Sequence, residues 1–257
     1  MIMARKIRVA EMTIENQLVR KWTELENAFV RAFRGFNKQD IPAFLRKHRV
    51  KGVDGHLLNA IRNVRNAIAH PEYLKNGNPL VVLNDNIIHK LDDIIATVNT
   101  LPKVGNVMRV LQDVDTCSPD SEIMALISKM IMKAYSNIPV LNDKGRVLGV
   151  FSESTMLKVG LDMLRSRPLR RISDIMGLVS IAKNNRRPDR FFFVGKDDPV
   201  VSLQHMCHEA VADGKRSELF LVTDNGRGNG KLMGIVTVWD FVGLIEINSD
   251  AIEVPSV

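Results

Sequence analysis

The chain has 257 residues, 45% apolar and 25% charged, with a formal net charge of +7. That length accommodates two modest domains or one large one with a real core, and the balance of apolar and charged residues excludes disorder as the default. No apolar run reaches the roughly 18 residues that a membrane span requires. The opening stretch MIMARKIRVAEMTIENQ lacks the apolar core and small-residue cleavage site of a secretory signal. Cys117 and Cys207 stand in no metal or redox spacing, so the expectation is a cytoplasmic protein with reduced thiols and no membrane association. The charge is unevenly shared, with 16 Lys/Arg against 10 Asp/Glu in residues 1–100 and 20 against 19 in residues 101–257. A basic excess of this kind raises the local concentration of a polyanion, although harmless surfaces carry it too.

The first hundred residues have helical periodicity. From Ile14 to Phe36, apolar residues fall at Leu18, Trp22, Leu25, Phe29 and Phe33, the three-or-four spacing of a helix stripe. KQDIPAFLRKH predicts a short second helix with Asp40 as N-cap and Pro42 in its first turn. Leu57, Ile61, Val64 and Ile68 predict a third helix. NDNIIHKLDDIIATVNTL predicts a fourth, capped by Asn84 or Asp85, with Ile88, Leu91, Ile95 and Val98 on one face. YLKNGNP supplies the turn before it. Four helices on short connections predict a bundle.

Beyond about Lys103 the pattern changes and one unit occurs twice. CSPDSEIMALISKMIMKAYSNIPVLNDKGRVLGVFSESTML and GKDDPVVSLQHMCHEAVADGKRSELFLVTDNGRGNGKLMGIVTVWDFV share one order of elements. An acidic or Ser cap precedes an amphipathic helix, then come a buried strand, a glycine-bearing turn, a second strand and another helix. An internal repeat of this length outweighs any single motif. LRSRPLRRISDIM between the copies has the composition of a linker leading into the second. Arg165, Arg167, Arg170 and Arg171 there, and Arg186, Arg187 and Arg190 in KNNRRPDRFFF, could reach a ligand's phosphates or be a solvated linker. NGRGNGKL is a hairpin loop, since it lacks the first glycine and the Ser/Thr of a phosphate loop. HMCHE places His205 and His208 one turn apart, with too few further ligands for zinc. No metal is expected.

Residues 104–247 resemble a pair of CBS domains. The strand–turn–strand passages carry the resemblance, together with the end pattern Gly-apolar-apolar-Thr/Ser-x-x-Asp. The second copy meets that pattern with Gly234, Ile235, Val236, Thr237 and Asp240. The first has Gly149, Val150, Phe151 and Ser152, then Thr155 where aspartate is expected. The resemblance implies an adenine-nucleotide ligand (AMP, ADP, ATP or a relative) at Thr237 and Asp240, with Ser152 and Thr155 as the matching half-site. The spacing has its own logic. Asp240 falls in the first turn after a strand ending at Thr237, where a carboxylate can accept both ribose hydroxyls and the threonine can donate or accept. A carboxylate that merely caps its helix would have the same spacing. Thr155 removes a charge-assisted acceptor worth about 1.5–3 kcal/mol, so the first half-site is expected to bind more weakly.

One stretch of the third helix has chemistry of its own. NAIRNVRNAIAHPEYL aligns Asn59, Arg62, Asn66 and His70 on one side, and Pro71 disfavours helical geometry at His70. Imidazole can move a proton to or from a 2′-hydroxyl, and guanidinium can bind the phosphate. Arg65-Asn66-x-x-x-His70 within a four-helix bundle resembles the HEPN family. The resemblance implies a metal-independent endoribonuclease with Arg65 on phosphate, Asn66 beside it and His70 as acid/base, in a homodimer whose motifs share a cleft. Two plainer roles compete: Arg65 pairing with Asp92 or Asp93, and His70 capping its helix.

The expectation is therefore an α+β protein. A HEPN-like bundle occupies residues 1–102, and two β-α-β-type CBS repeats, at 103–168 and 169–257, form a Bateman-like module. Its expected function is adenine-nucleotide sensing that controls an RNA-cleaving domain, with RNA and a second copy as partners. The alternative is a non-catalytic, nucleotide-responsive regulatory or dimerisation subunit.

Overall fold

Apolar residues three and four apart drive Ile14–Ala32 into helix α1, opened by Thr13, whose Oγ1 accepts from the Asn16 N–H at 3.4 Å. In the computed structural model, residues 13–34, 36, 40–47, 50–69, 85–164, 169–180 and 189–242 are described. The chain divides into two units, residues 1–101 and 102–257.

In the first unit, α1 buries Leu18, Trp22, Leu25 and Phe29. It stops at Ala32 rather than continuing to Phe36, because Phe33 turns extended and joins a ring cluster. Phe29, Phe33, Phe36 and Phe44 pack with centroids 4.7–5.9 Å apart. Such pairs add about 0.5–1.5 kcal/mol beyond the area they bury, which favours the early turn. Helix α2 (Ile41–Lys47) starts at Asp40, whose Oδ1 accepts from Ala43 N–H at 2.9 Å. Helix α3 (Gly55–Ala69) follows Asp54, whose carboxylate accepts from the N–H groups of His56 and Leu57. Those bonds, Leu57's first, hold the Asp54 carboxyl below its ordinary pKa. The deepest side chains of α3 are Leu58 and Ile61, whereas Leu57, Val64 and Ile68 are half-buried. The expected stripe is rotated because α3 packs against both α1 and α2. Helix α4 (Asp85–Asn99) lies along α1 and buries Ile88, Leu91, Ile94 and Val98, with Ile94 taking the place expected of Ile95. Lys21 ties the two helices, 2.7 Å from Asp92 and 2.8 Å from Glu24. Asn84, the YLKNGNP turn and His70 lie outside the described residues.

The second unit runs α5 (Val104–Val107), β1 (Arg109–Val110), α6 (Ile123–Lys133), β2 (Asn137–Leu141), β3 (Val147–Ser152), α7 (Glu153–Leu164), a tight turn at Ile172–Ile175 and α8 (Met176–Val179). It continues through β4 (Asp189–Gly195), α9 (Val200–Ala212), β5 (Arg216–Thr223), β6 (Leu232–Val236) and α10 (Val238–Phe241). The repeat is α6-β2-β3-α7 followed by α9-β5-β6-α10. β2 and β3 form an antiparallel hairpin, and β1-β6-β5-β4 form a four-stranded sheet in which only β4–β5 is parallel. RFFF, from the stretch whose arginines a solvated linker could explain, lies within strand β4. Its residues alternate between two cores, Phe191 and Phe193 on one side and Phe192 and Val194 on the other. Coverage on both faces hides the period-two signal and leaves a continuous apolar run. The cluster of Val147, Val150, Phe191, Leu219, Leu221, Leu232 and Ile235 draws on both hairpins. The two hairpin turns also meet, with Leu232 N–H donating to Gly145 O at 2.9 Å.

The halves exchange their lead-in segments. Residues 102–110 precede the first repeat but pack on the second: Val200 N–H donates to Pro102 O, Val104 N–H to Asp198 O and Gly105 N–H to Lys196 O, each at 2.8 Å. β1 then pairs with β6, Arg109 opposite Ile235 and Val110 opposite Gly234. Residues 170–180 lead into the second repeat but pack on the first: Ile123 N–H donates to Arg170 O at 2.8 Å, Ile172 N–H to Ser121 O at 3.1 Å, and Ser180 bridges Gly149. Ile172, Ile175 and Val179 belong to the core of the first repeat, and Val104 to that of the second. The side-chain caps expected at the two repeat helices are accordingly absent. Glu122 and Pro199 stand at the cap positions without a side-chain cap bond, and the exchanged carbonyls of Arg170 and Pro102 take the first N–H of each helix.

Asp115 supports the first repeat from the irregular segment that precedes α6. Lys129 Nζ lies 2.6 Å from its carboxylate and Lys133 Nζ 2.9 Å. The Lys129 bond, then that of Lys133, holds this carboxyl below its ordinary 3.8. A depressed folded pKa contributes stability above the unfolded value and loses it as pH falls through the folded one. Asp115→Asn is therefore expected to lower Tm at pH 7, with the gap to wild type closing below pH 3.8. Melts across pH check this; a gap independent of pH would remove the ion pairs from the account.

Candidate functional site

Both repeat ends place a hydroxyl at the finish of a strand and a second polar residue in the next helical turn. In the second copy, Thr237 follows β6 and caps α10. Asp240 Oδ2 accepts from Thr237 N–H at 2.6 Å and from Thr237 Oγ1 at 2.7 Å. The carboxylate therefore does cap its helix, through one oxygen; among the described residues no donor reaches the other. Both residues are half-buried, and the core residue Phe241 anchors the turn from beneath. Trp239, between them, is 84% exposed.

In the first copy, Ser152 ends β3 and Thr155 lies in the first turn of α7, the positions of Thr237 and Asp240. They are 1% and 2% exposed. Ser152 Oγ is 3.2 Å from Thr155 Oγ1 and 3.0 Å from Ser154 Oγ, and it accepts from Thr155 N–H at 3.3 Å. Their hydrogen-bonding capacity is turned inward. The two half-sites thus differ in access as well as in charge, and access was not legible in the sequence.

The glycines of the pattern have a steric reason. A Cβ on Gly149 would overlap Val179 O, and one on Gly234 would overlap Arg109 O. Each glycine admits the backbone of an exchanged lead-in beside the strand that ends at a half-site. Local reading of the sequence could not find this contact, since its partners lie 30 residues away in one case and 125 in the other.

In the helical unit, Arg65 Nη1 donates to Asn66 Oδ1 at 3.0 Å, and its buried Nε has no partner among the described residues. The expected competitor Asp92 is engaged by Lys21. Arg62 has a structural occupation, tying α3 to α2 through Asp40 at 3.1 Å and to Asn59 at 3.0 Å. His70 lies outside the described residues, so only two members of the Arg65–Asn66–His70 set have a described position.

Among the other arginines, the backbone N–H groups of Arg170 and Arg171 donate to Asp174 at 2.9 Å, and the Arg171 side chain pairs with Asp120 at 3.4 Å. Arg165, Arg167, Arg186 and Arg187 lie outside the described residues, as does the side chain of Arg190. His205 pairs with Glu209 at 3.1 Å, and no three His, Cys, Asp or Glu groups come together for a metal among the described residues. Burial pushes the Cys117 thiol up to about 12, an inert core residue. No helix of the described residues is long and apolar enough to cross a membrane.

Residues 104–162 match the family model of the CBS domain. No curated protein matches the chain. Among solved structures the chain is similar to CBSX2 in complex with AMP, at 19% identity over 56% of this chain and 95% of that one, with a TM-score of 0.42. It is likewise similar to the CBS-pair protein CBSX2 from Arabidopsis thaliana, at 20% identity over 56% and 94%, TM-score 0.42. A third similar structure is the CBS domain of a bacterial CNNM/CorC family Mg2+ transporter in complex with ATP, at 18% identity over 55% and 84%, TM-score 0.39. The match at 104–162 and the second run of the same elements, interlocked with the first, give the unit from residue 102 a CBS-pair fold.

Proposed function

We propose that the chain is a nucleotide-responsive regulator in which the Thr237–Asp240 half-site binds the ribose of an adenine nucleotide and the helical unit is the part controlled. The observation that carries this reading is the half-exposed carboxylate of Asp240, with one oxygen capping α10 and the other available to a ribose hydroxyl. A carboxylate pre-set by its own capping bonds loses little freedom on binding. The Ser152–Thr155 half-site, inward-turned and uncharged, is the weaker of the two.

Titration calorimetry with AMP and ATP tests the ranking. Losing a charge-assisted bond costs about 1.5–3 kcal/mol, so Asp240→Ala is expected to weaken binding by about 10- to 150-fold. Thr155→Ala is expected to change it little. Asp240→Asn, which retains a capping oxygen, separates lost recognition from a lost cap and is expected to weaken binding too. The emission of Trp239, beside the half-site, gives a second readout. Equal losses from Asp240→Ala and Thr155→Ala would overturn the ranking, and no binding of AMP, ADP or ATP by folded protein would overturn the nucleotide reading.

For the helical unit the proposal is a HEPN-like, metal-independent endoribonuclease that acts as a homodimer. The basic excess of residues 1–100 supports it, as does Arg65, a guanidinium bonded to an amide rather than to a carboxylate. Guanidinium left free of an acid is suited to phosphate. The non-catalytic regulatory subunit remains the second reading, favoured by the place Arg65 already has against Asn66.

A further inference from the structure

The exchanged lead-ins make the two half-sites mechanically unequal. Residues 102–110 are stitched to the second repeat at both ends. Pro102, Val104 and Gly105 bond to residues 196–200, and β1 pairs with β6 two residues before Thr237. Val104, fully buried, lies in one cluster with Val236 and Phe241, the residues on either side of the Thr237–Asp240 turn. The same segment continues N-terminally through only Thr100 and Leu101 to Asn99, the end of α4. The counterpart, residues 170–180, docks on the first repeat, with Ser180 bridging Gly149 three residues before Ser152. Its chain continuations are the inter-repeat linker and β4, neither of which belongs to the helical unit.

We propose that residues 102–110 are the output strap of the second half-site, carrying ligand occupancy at Thr237 and Asp240 to α4, while the first half-site has no comparable covalent route to the helical unit. This rests on the reading of Thr237–Asp240 as a nucleotide half-site. A ribose hydroxyl donating to the second oxygen of Asp240 draws negative charge from the oxygen that accepts from Thr237 N–H and Oγ1, and that redistribution acts on the strand end to which β1 is paired. Coupling requires that the strap have two arrangements biased by the ligand. Val104 anchors the strap in the core, whereas Arg109 and Val110 are exposed, so the β1 end is the part able to take such alternatives.

Hydrogen exchange on the full chain, with and without saturating AMP or ATP, tests this. Binding is expected to protect residues 237–241 and to shift exchange in 102–110 and in 85–99 by about 5-fold or more, the lower end of ordinary allosteric couplings. Six Gly/Ser residues inserted between Thr100 and Leu101 leave both cores untouched. In that protein the responses at 237–241 and 102–110 should persist while the response at 85–99 disappears. Protection at 237–241 with no change in 102–110 would overturn the strap and leave the nucleotide reading standing. A response at 85–99 that survives the insertion would also overturn it. Failure of both nucleotides to protect 237–241 would overturn the nucleotide reading and the strap together.

Discussion

RNA incubated with the full chain in the presence of chelator is expected to be cut, leaving 2′,3′-cyclic phosphate ends, and His70→Ala is expected to slow that cleavage by about 10²–10⁴-fold. The imidazole, with an unperturbed pKa near 6.5, would take the 2′-hydroxyl proton or supply one to the leaving oxygen. Arg65 would bind the phosphate and offset the charge that builds on it. Arg65→Lys keeps the charge but loses the planar fork, so it is expected to fall between wild type and Arg65→Ala. The Arg65 bond to Asn66 adds a distinction. Asn66→Ala should lower the rate without removing it, because the guanidinium persists but is less well held. Arg62→Ala, by contrast, breaks a tie between α3 and α2 and should register in melting rather than in chemistry. Absence of cleavage from folded protein, with AMP, ADP and ATP each tried, would transfer the chain to the non-catalytic reading.

The second large effect is on stability. Gly149→Ala is expected to cost about 3 kcal/mol or more, because the new methyl would occupy the position of the Val179 carbonyl, a backbone group that cannot step aside by rotating a side chain. Two other glycines calibrate the result. At Gly145 a Cβ meets nothing within 4 Å, but the residue has a φ of +72°, so alanine there pays only backbone strain, about 1 kcal/mol. Gly160 lies within α7 with open space around its Cα, so alanine should stabilise the fold by about 0.5–1 kcal/mol. Urea unfolding of the three variants reads a large loss, a small loss and a gain in one experiment. If Gly149→Ala were no worse than Gly145→Ala, the close approach of the exchanged lead-in would not be a requirement of the fold.

Much of this protein is determined by its sequence alone, because the signals are local. The three-and-four spacing of Leu18, Trp22, Leu25 and Phe29 produces a helix wherever it occurs, and Asp40 caps its helix from the adjacent position. The repeat of helix, strand, turn, strand and helix announces two copies of one unit, and Thr155 at the place of Asp240 shows in the sequence that one copy lacks the carboxylate. What the tertiary structure decided was every property that depends on residues far apart in the chain. The rotation of α3 by one position toward Leu58 follows from its two neighbours. β4 is a strand because β5 and two separate cores cover both faces of FFFV. Ser152 and Thr155 are sealed while Thr237 and Asp240 remain half-open, a difference of packing rather than of residue type. The lead-ins change partners because the N–H groups at the start of α6 and α9 need acceptors that their own cap residues do not supply. Arg170 and Pro102 bring those acceptors from 47 residues downstream and 98 upstream respectively. Local propensity governs each element, but the pairing of donors with acceptors across the fold decided which elements are joined.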